Sequence, residues 1–358
     1  MPLVAHNKLP TFLQLQKHGQ TVLPLDRAKQ QDIRELHIGL LNMMPDAALA
    51  ATEQQFINLV GSCNQIAQFY VYPFTIPQLE RSEKAKQHIS QYYSDFDGLV
   101  NQGLDALIIT GANVSNPSLD QESFWGPLIE MVSWAENNVT SILCSCLASH
   151  ALVKFKHGIE RQRLPQKQWG VYSHRIAQLD HPLIKNINTK FDAPHSRYNE
   201  ITKSQLEQAG LLVLAESSEA GVHLAVSPDQ FRIVYFQGHP EYQANSLLKE
   251  YKREVYRYLK GECESVPHYP EQYFSTKAIH IAAQFIKQAE KAVSNGDPLP
   301  EFPDKKLESY VHNTWSDTGK AIVNNWLGLV YQLTNLEREL QFMPGVDPNN
   351  PLQLNSEI

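Results

Sequence analysis

Ala106-Leu107-Ile108-Ile109-Thr110-Gly111 constrains the fold more than any other stretch, because it is apolar on both faces. A strand without a polar face needs cover above and below, as a central strand of a parallel sheet has. Residues 140–145 read as a second buried strand, with others at 36–41 and 66–72, the last closed by Pro73. Helical spacing falls between them. It covers 48–60, where Leu49, Phe56, Leu59 and Val60 lie near one face and Gly61 is the stop, then a charged insert at 78–93, then a helix carrying Trp125, Leu128, Ile129, Val132 and Ala135. This alternation implies an α/β fold, an open, mostly parallel sheet with helices on both faces.

The second half is less regular. Residues 158–200 show little periodicity and read as loop-rich, whereas 211–215, 222–226 and 232–237 read as strands, the last two joined by the turn Ser227-Pro228-Asp229-Gln230. Helices are expected at 244–259, 275–293 and 318–333. The expected organisation is an N-terminal arm (1–34), polar and irregular, lying on a main domain (35–265), followed by a helical C-terminal extension packed on it (266–340). A flexible tail rich in Pro and Asn (341–358) completes the chain. Ile322, Trp326, Leu329 and Leu333 give the last helix an apolar face that either covers the core or forms a dimer seam.

The 358 residues carry a formal charge of −7 and no basic stripe, which argues against a nucleic-acid partner. No run approaches the ~18 apolar residues needed to span a bilayer, and residues 1–14 lack the pattern of a secretory signal. Four cysteines, Cys63, Cys144, Cys146 and Cys263, are too few for a disulfide framework in a chain this long, so a reducing, cytoplasmic setting is expected. Cys144-Ser145-Cys146 is not a zinc spacing, and the 14 histidines are scattered without an H-x-x-x-H pair on a helix, so no metal is expected. No glycine-rich phosphate loop suggests a nucleotide cofactor.

The chemistry centres on Cys146, placed where a strand runs into the helix that starts at Leu147-Ala148-Ser149-His150. Backbone N–H groups of a first helical turn and the positive end of its dipole favour thiolate at such a position. Gly238-His239-Pro240-Glu241 follows another strand and supplies an imidazole with a carboxylate two residues on, a base and its orienter. Ligands bind beyond the carboxyl ends of parallel strands. Thr110-Gly111-Ala112-Asn113, Cys146 and Gly238-His239 all fall there, so three segments converge on one crevice. The set reads as a Cys-His-Glu acyl-transfer site. His195, between Pro194 and Ser196 and without a carboxylate two residues on, reads as structural or substrate-orienting.

Leu40-Leu41-Asn42-Met43-Met44-Pro45, Ile109-Thr110-Gly111-Ala112, Ala193-Pro194-His195-Ser196-Arg197, Gly238-His239-Pro240-Glu241-Tyr242 and Asn313-Thr314-Trp315 together resemble the homoserine O-acyltransferases of methionine biosynthesis, in register from about residue 9 to 333. The resemblance implies a class I glutamine-amidotransferase-like, flavodoxin-like fold. It also implies an acyl-CoA substrate (succinyl-CoA or acetyl-CoA), L-homoserine as acceptor, no cofactor, and a homodimer. It makes Cys146 the acyl-thioester nucleophile, His239 the general base and Glu241 its orienter, with Lys167, Ser196 and Arg253 as substrate contacts. The Leu147 N–H is the expected oxyanion donor. Ser115 falls where the family selects its donor with Gly or Glu; a small neutral side chain leaves room for a succinyl carboxylate and favours succinyl over acetyl. Two features depart from the family pattern. Leu147-Ala148-Ser149-His150 replaces Trp-Gly-Ala-Gln, and Asp46-Ala47 stand where paired lysines are common, which leaves L-serine open as acceptor. A glutaminase using the same triad and a non-enzymatic relative of the fold are the remaining alternatives.

Overall fold

Alternate residues of the central strands face opposite layers, which is why those strands are apolar throughout. Ile38, Leu40, Ala106, Ile108, Leu143 and Val234 pack into one apolar cluster with Phe56, Ile57 and Val60. Leu107, Ile109, Ile142, Cys144 and Tyr235 pack into the other, with Leu128, Val132, Ala135, Ala148 and Leu152. Helices Asp46–Gly61 and Ser316–Leu333 supply the first layer, and Trp125–Asn138 and Leu147–His157 the second.

The computed structural model describes residues 3–63 and 67–354. Among these, eleven strands form one sheet: β1 (Leu3–Ala5), β2 (Val22–Pro24), β3 (Glu35–Leu41), β4 (Gln68–Phe74), β5 (Ala106–Ile109), β6 (Ser141–Ser145), β7 (Gln162–Ile176), β8 (Lys190–Glu200), β9 (Leu212–Ser217), β10 (Gly221–Val226) and β11 (Ile233–Phe236). Their order is β2-β1-β4-β3-β5-β6-β11-β10-β9-β7-β8. Neighbours from β2 to β11 are parallel, and those beyond β11 antiparallel. The expected open, mostly parallel sheet is therefore present. Its centre, β4-β3-β5-β6-β11, has the 2-1-3-4-5 order of a doubly wound fold, whose ligands lie beyond the strand carboxyl ends.

The last helix covers the core. Ile322 and Trp326 are fully buried, and the Trp326 indole N–H donates to Ser141 Oγ at 2.8 Å, which in turn donates to Phe231 O at 2.7 Å. Helices Ser246–Leu259 and Thr276–Asn295 enclose a third cluster through Leu247, Tyr251, Ile281 and Phe285 with Trp169 and Trp315. Thr276–Asn295 is bounded by its cap chemistry: Ser275 Oγ accepts the Ala278 N–H at 3.3 Å, and Gly296 takes the left-handed conformation at φ 72°.

Three expectations need correction. The expected N-terminal arm (1–34) is not irregular over its described residues, 3–34: β1 and β2 extend the sheet, with Leu3, Val4 and Leu23 buried, but three-residue strands are too short to show a period. The loop-rich stretch 158–200 is a long hairpin, β7 with β8. Its outer half is polar and exposed, Pro165 sits where the pairing register shifts, and Pro194 occupies the edge strand, where a missing N–H is tolerated. The tail is held as far as Leu352: Gln341 donates to Val139 O at 2.6 Å, and Leu352 packs on the first cluster. Ile66, expected to begin the second strand, and 355–358 of the tail lie outside the described residues.

Trp326→Ala removes a fully buried ring that also anchors β6, so about 3–5 kcal/mol of stability should be lost. Urea denaturation checks this; a change below about 1 kcal/mol means that this helix does not seal the core.

Candidate active site

β5 and β6 end side by side, and the chain turns sharply after each. Cys146 is half-buried at the tip of the second turn with φ 54° and ψ −113°, a conformation L-residues rarely adopt. Its N–H donates to Phe236 O at 2.7 Å, and Ser149 Oγ donates to the same carbonyl at 2.8 Å. Leu147 opens the helix, so its N–H has no acceptor one turn earlier. The loop after β5 runs alongside: a Cβ on Gly111 would stand 3.8 Å from Cys146 Cβ and 3.9 Å from Leu147 N. Both segments expected to stabilise an oxyanion thus border the thiol.

β11 delivers the imidazole. Phe236 pairs with Ser145, and Gly238 follows where a Cβ would come within 2.5 Å of His223 Nδ1 and 2.9 Å of His195 Nε2, so the turn needs glycine. The His239 N–H donates to Pro194 O at 2.9 Å. His239 Nδ1 lies 2.8 Å from Glu241 Oε1, which makes Nδ1 the donor and the carboxylate the acceptor. Glu241 Oε2 also accepts from Ser145 Oγ at 3.4 Å. His239 Nε2 is sealed from solvent without an oxygen or nitrogen partner; on that side it meets the Cys146 sulfur. Burial alone would lower the His239 pKa, but Glu241 and then Cys146 outweigh it and hold it well above the ordinary value. Tyr242 stacks on the ring, with centroids 4.1 Å apart.

Lys167 and Ser196, expected as substrate contacts, meet on a residue the sequence reading missed. Ser196 Oγ donates to Glu250 Oε2 at 2.6 Å, Lys167 Nζ reaches the same oxygen at 3.3 Å, and the Tyr242 hydroxyl donates to Glu250 Oε1. Desolvation would raise the Glu250 pKa; Lys167, Ser196 and Tyr242 overcome it and lower it. Lys167 also lies over the Trp169 ring, 4.1 Å from its centroid. Arg253 stands apart from this network, half exposed on the helix that carries Glu250, with Nε 3.4 Å from Glu254 Oε1. A Glu on a helix surface gives no sequence signal of burial; only the approach of β7 and β8 buries it.

A family model described as homoserine O-succinyltransferase matches residues 2–336. Curated relatives with the name homoserine O-succinyltransferase align over nearly the whole chain. That of Methylobacter tundripaludum is 59% identical over 99% of this chain and 100% of its own, and that of Methylococcus capsulatus 57% identical over 99% and 100%. The chain belongs to the homoserine O-succinyltransferase family. Among solved structures, a glutamine amidotransferase from Thermotoga maritima is similar at TM-score 0.41 and 12% identity, over 83% of this chain and 99% of that one.

The departures from the homoserine O-succinyltransferase pattern are structurally accounted for. Ser149 shares the Phe236 carbonyl with Cys146, and His150 Nε2 donates to Gln237 Oε1 at 2.9 Å, so Leu147–His150 ties the thiol's helix to the strand bearing His239. Asp46 accepts the Ser82 N–H at 2.7 Å and lies 3.4 Å from Arg81, whose guanidinium also holds Met44 O. Ser115 is exposed on the loop after β5, its N–H donating to Glu122 Oε1 at 2.7 Å.

Three buried imidazoles, His174, His195 and His223, have ring nitrogens within 4.8 Å of one another, a grouping the sequence reading missed because they come from β7, β8 and β10. Their bonding assigns the protons. His174 Nδ1 donates to Tyr172 O at 2.8 Å, leaving Nε2 to accept from His195 Nε2 at 3.1 Å, while His195 Nδ1 accepts from Arg197 Nε at 3.3 Å. Desolvation, helped by Arg197, keeps all three neutral: the His174 pKa falls to about 4, and those of His195 and His223 well below the ordinary value.

Below pH 6.5 the unfolded chain binds three protons that this folded trio refuses. Stability should therefore fall by a slope approaching about 4 kcal/mol per pH unit from these groups alone, down to about pH 4, where His174 itself titrates. His239, with its raised folded pKa, keeps its proton when folded, so it opposes this slope weakly near pH 6.5, where the unfolded ring is still taking up its proton, and adds nothing by about pH 5. Urea midpoints taken between pH 6.5 and 5 check this; a flat profile contradicts the neutral trio.

Proposed function

We propose that this chain transfers a succinyl group from succinyl-CoA to the hydroxyl of L-homoserine through a thioester on Cys146, the first step of methionine biosynthesis, in the cytoplasm and without a cofactor. The supporting observation is the Cys146 thiol on a strained strand-to-helix turn, beside an imidazole fixed by Glu241 at 2.8 Å. With the thiol proton on His239 Nε2, the sulfur attacks the acyl carbonyl. The Leu147 N–H and the loop at Gly111 face the developing oxyanion. The intermediate collapses, His239 returns its proton to the departing CoA sulfur, and the acyl group remains on Cys146. Homoserine then gives its hydroxyl proton to His239 and attacks the thioester, releasing O-succinylhomoserine and the free thiolate.

The acceptor's two charges have matching groups near the imidazole. Lys167 and Ser196 offer donors to its carboxylate, with Arg253 one turn further along, and Glu250 offers oxygens to its ammonium. The four free thiols, without a disulfide among the described residues, suit a reducing compartment.

Cys146→Ala should abolish both turnover and the mass increase of one succinyl group seen on the protein after exposure to succinyl-CoA. His239→Asn should lower kcat about 10²–10⁴-fold. Ammonia release from glutamine, with no acyl adduct on the wild-type enzyme, would overturn the reading in favour of a glutaminase.

A further inference from the structure

Arg161 lies between the cysteine's helix and β7, and its guanidinium is half-buried without a hydrogen bond or ion pair among the described residues. Its electrostatic neighbours are Glu122, the Cys146 sulfur, Arg163 and Glu160, and it acts in turn on His150, one turn into that helix. One oxygen of each carboxylate is engaged elsewhere, and neither carboxylate forms an ion pair with Arg161. Glu122 Oε1 accepts the N–H groups of Ser115 at 2.7 Å and Asn116 at 2.6 Å, and Glu160 pairs with Lys154 at 2.6 Å. Arg197 also senses the sulfur, but its donors are spent on Asn199 O, Ala220 O and His195. Lys167 pairs with Glu250 and is the acceptor's cation in the reading above. Arg161 is therefore a partly desolvated cation whose planar donor fork has no hydrogen-bond acceptor among the described residues, and it follows Glu160, which Lys154 of the cysteine's helix ties, through its second ion pair at 3.0 Å, to Asp120 of the loop that carries Ser115.

Such a fork fits a carboxylate in bidentate fashion. We propose that Arg161 forms the subsite for the free carboxylate of the acyl donor, binding the far end of the succinyl chain while its carbonyl carbon meets Cys146. The assignment rests on the succinyl reading given above. It gives that reading an attractive element: a small residue at Ser115 only leaves room for the carboxylate, whereas Arg161 rewards its presence. An acetyl group has nothing to offer the guanidinium.

The test compares full-length wild-type enzyme with Arg161→Gln and Arg161→Lys. For each, kcat/KM is measured for succinyl-CoA and for butyryl-CoA, which carries no carboxylate, at saturating homoserine. Losing a charged hydrogen-bonding pair should lower the succinyl-to-butyryl ratio roughly tenfold or more in Arg161→Gln, and Arg161→Lys should recover part of it. Wild-type preference for succinyl-CoA with an unchanged ratio in Arg161→Gln overturns the subsite. That holds if both donors fall together, as a contact with CoA phosphates would make them, or if neither falls. A wild-type enzyme with no preference for succinyl-CoA sinks the donor assignment and the subsite with it. Should glutamine prevent folding, Arg161→Met, which keeps most of the stem, gives the same readout.

Discussion

The parallel pairing of β6 with β11 is the constraint on which the site depends. Ser145 lies opposite Phe236, so each strand ends at the same level and each hands its next residues to the same crevice. The Phe236 carbonyl then accepts from both Cys146 N–H and Ser149 Oγ, fastening the helix that carries the thiol to the strand that carries the imidazole. A slip of one residue would turn every side chain of β6 to the opposite layer and carry the thiol away from His239. Burial of both faces forbids that slip. Ile142 and Cys144 belong to one apolar layer and Leu143 to the other, and Trp326 locks Ser141 from below.

Two sets of histidine meet around Gly238 and are driven in opposite directions. His239 and the His174–His195–His223 trio are all desolvated, which by itself favours neutral rings. His239 escapes because Glu241 and, after it, Cys146 favour its protonated form, whereas the trio faces Arg197. Gly238 is the wall between them, with no room for a side chain. The trio provides uncharged, hydrogen-bonded packing behind the reactive turn, and the edge strand's Pro194 carbonyl fixes that turn from the other side.

The centre of the fold and the convergence of Cys146, His239 and Glu241 were legible in the sequence because both leave local signatures. Unbroken apolar runs mark β5 and β6, and Cys146 and Gly238-His239-Pro240-Glu241 follow strand ends directly. What stayed hidden depends on distant partners. Leu3–Ala5 is a strand only because β4 offers an edge to pair with, and Val22–Pro24 only because Leu3–Ala5 extends that edge. β7 and β8 are long strands despite Pro165 and Pro194 because they lie at the sheet's margin. Glu250 reads as an ordinary surface carboxylate until Lys167, Ser196 and Tyr242 close on it. Arg253, which the family resemblance ranked beside Lys167 and Ser196, sits outside that network.

The backbone at Cys146 has an evolutionary corollary. A side chain held at φ 54° costs on the order of 1–3 kcal/mol, and glycine would carry none of it. Selection for stability alone would therefore erode the thiol, and a cysteine persists there against a standing thermodynamic bias toward the one residue that fits the turn without strain.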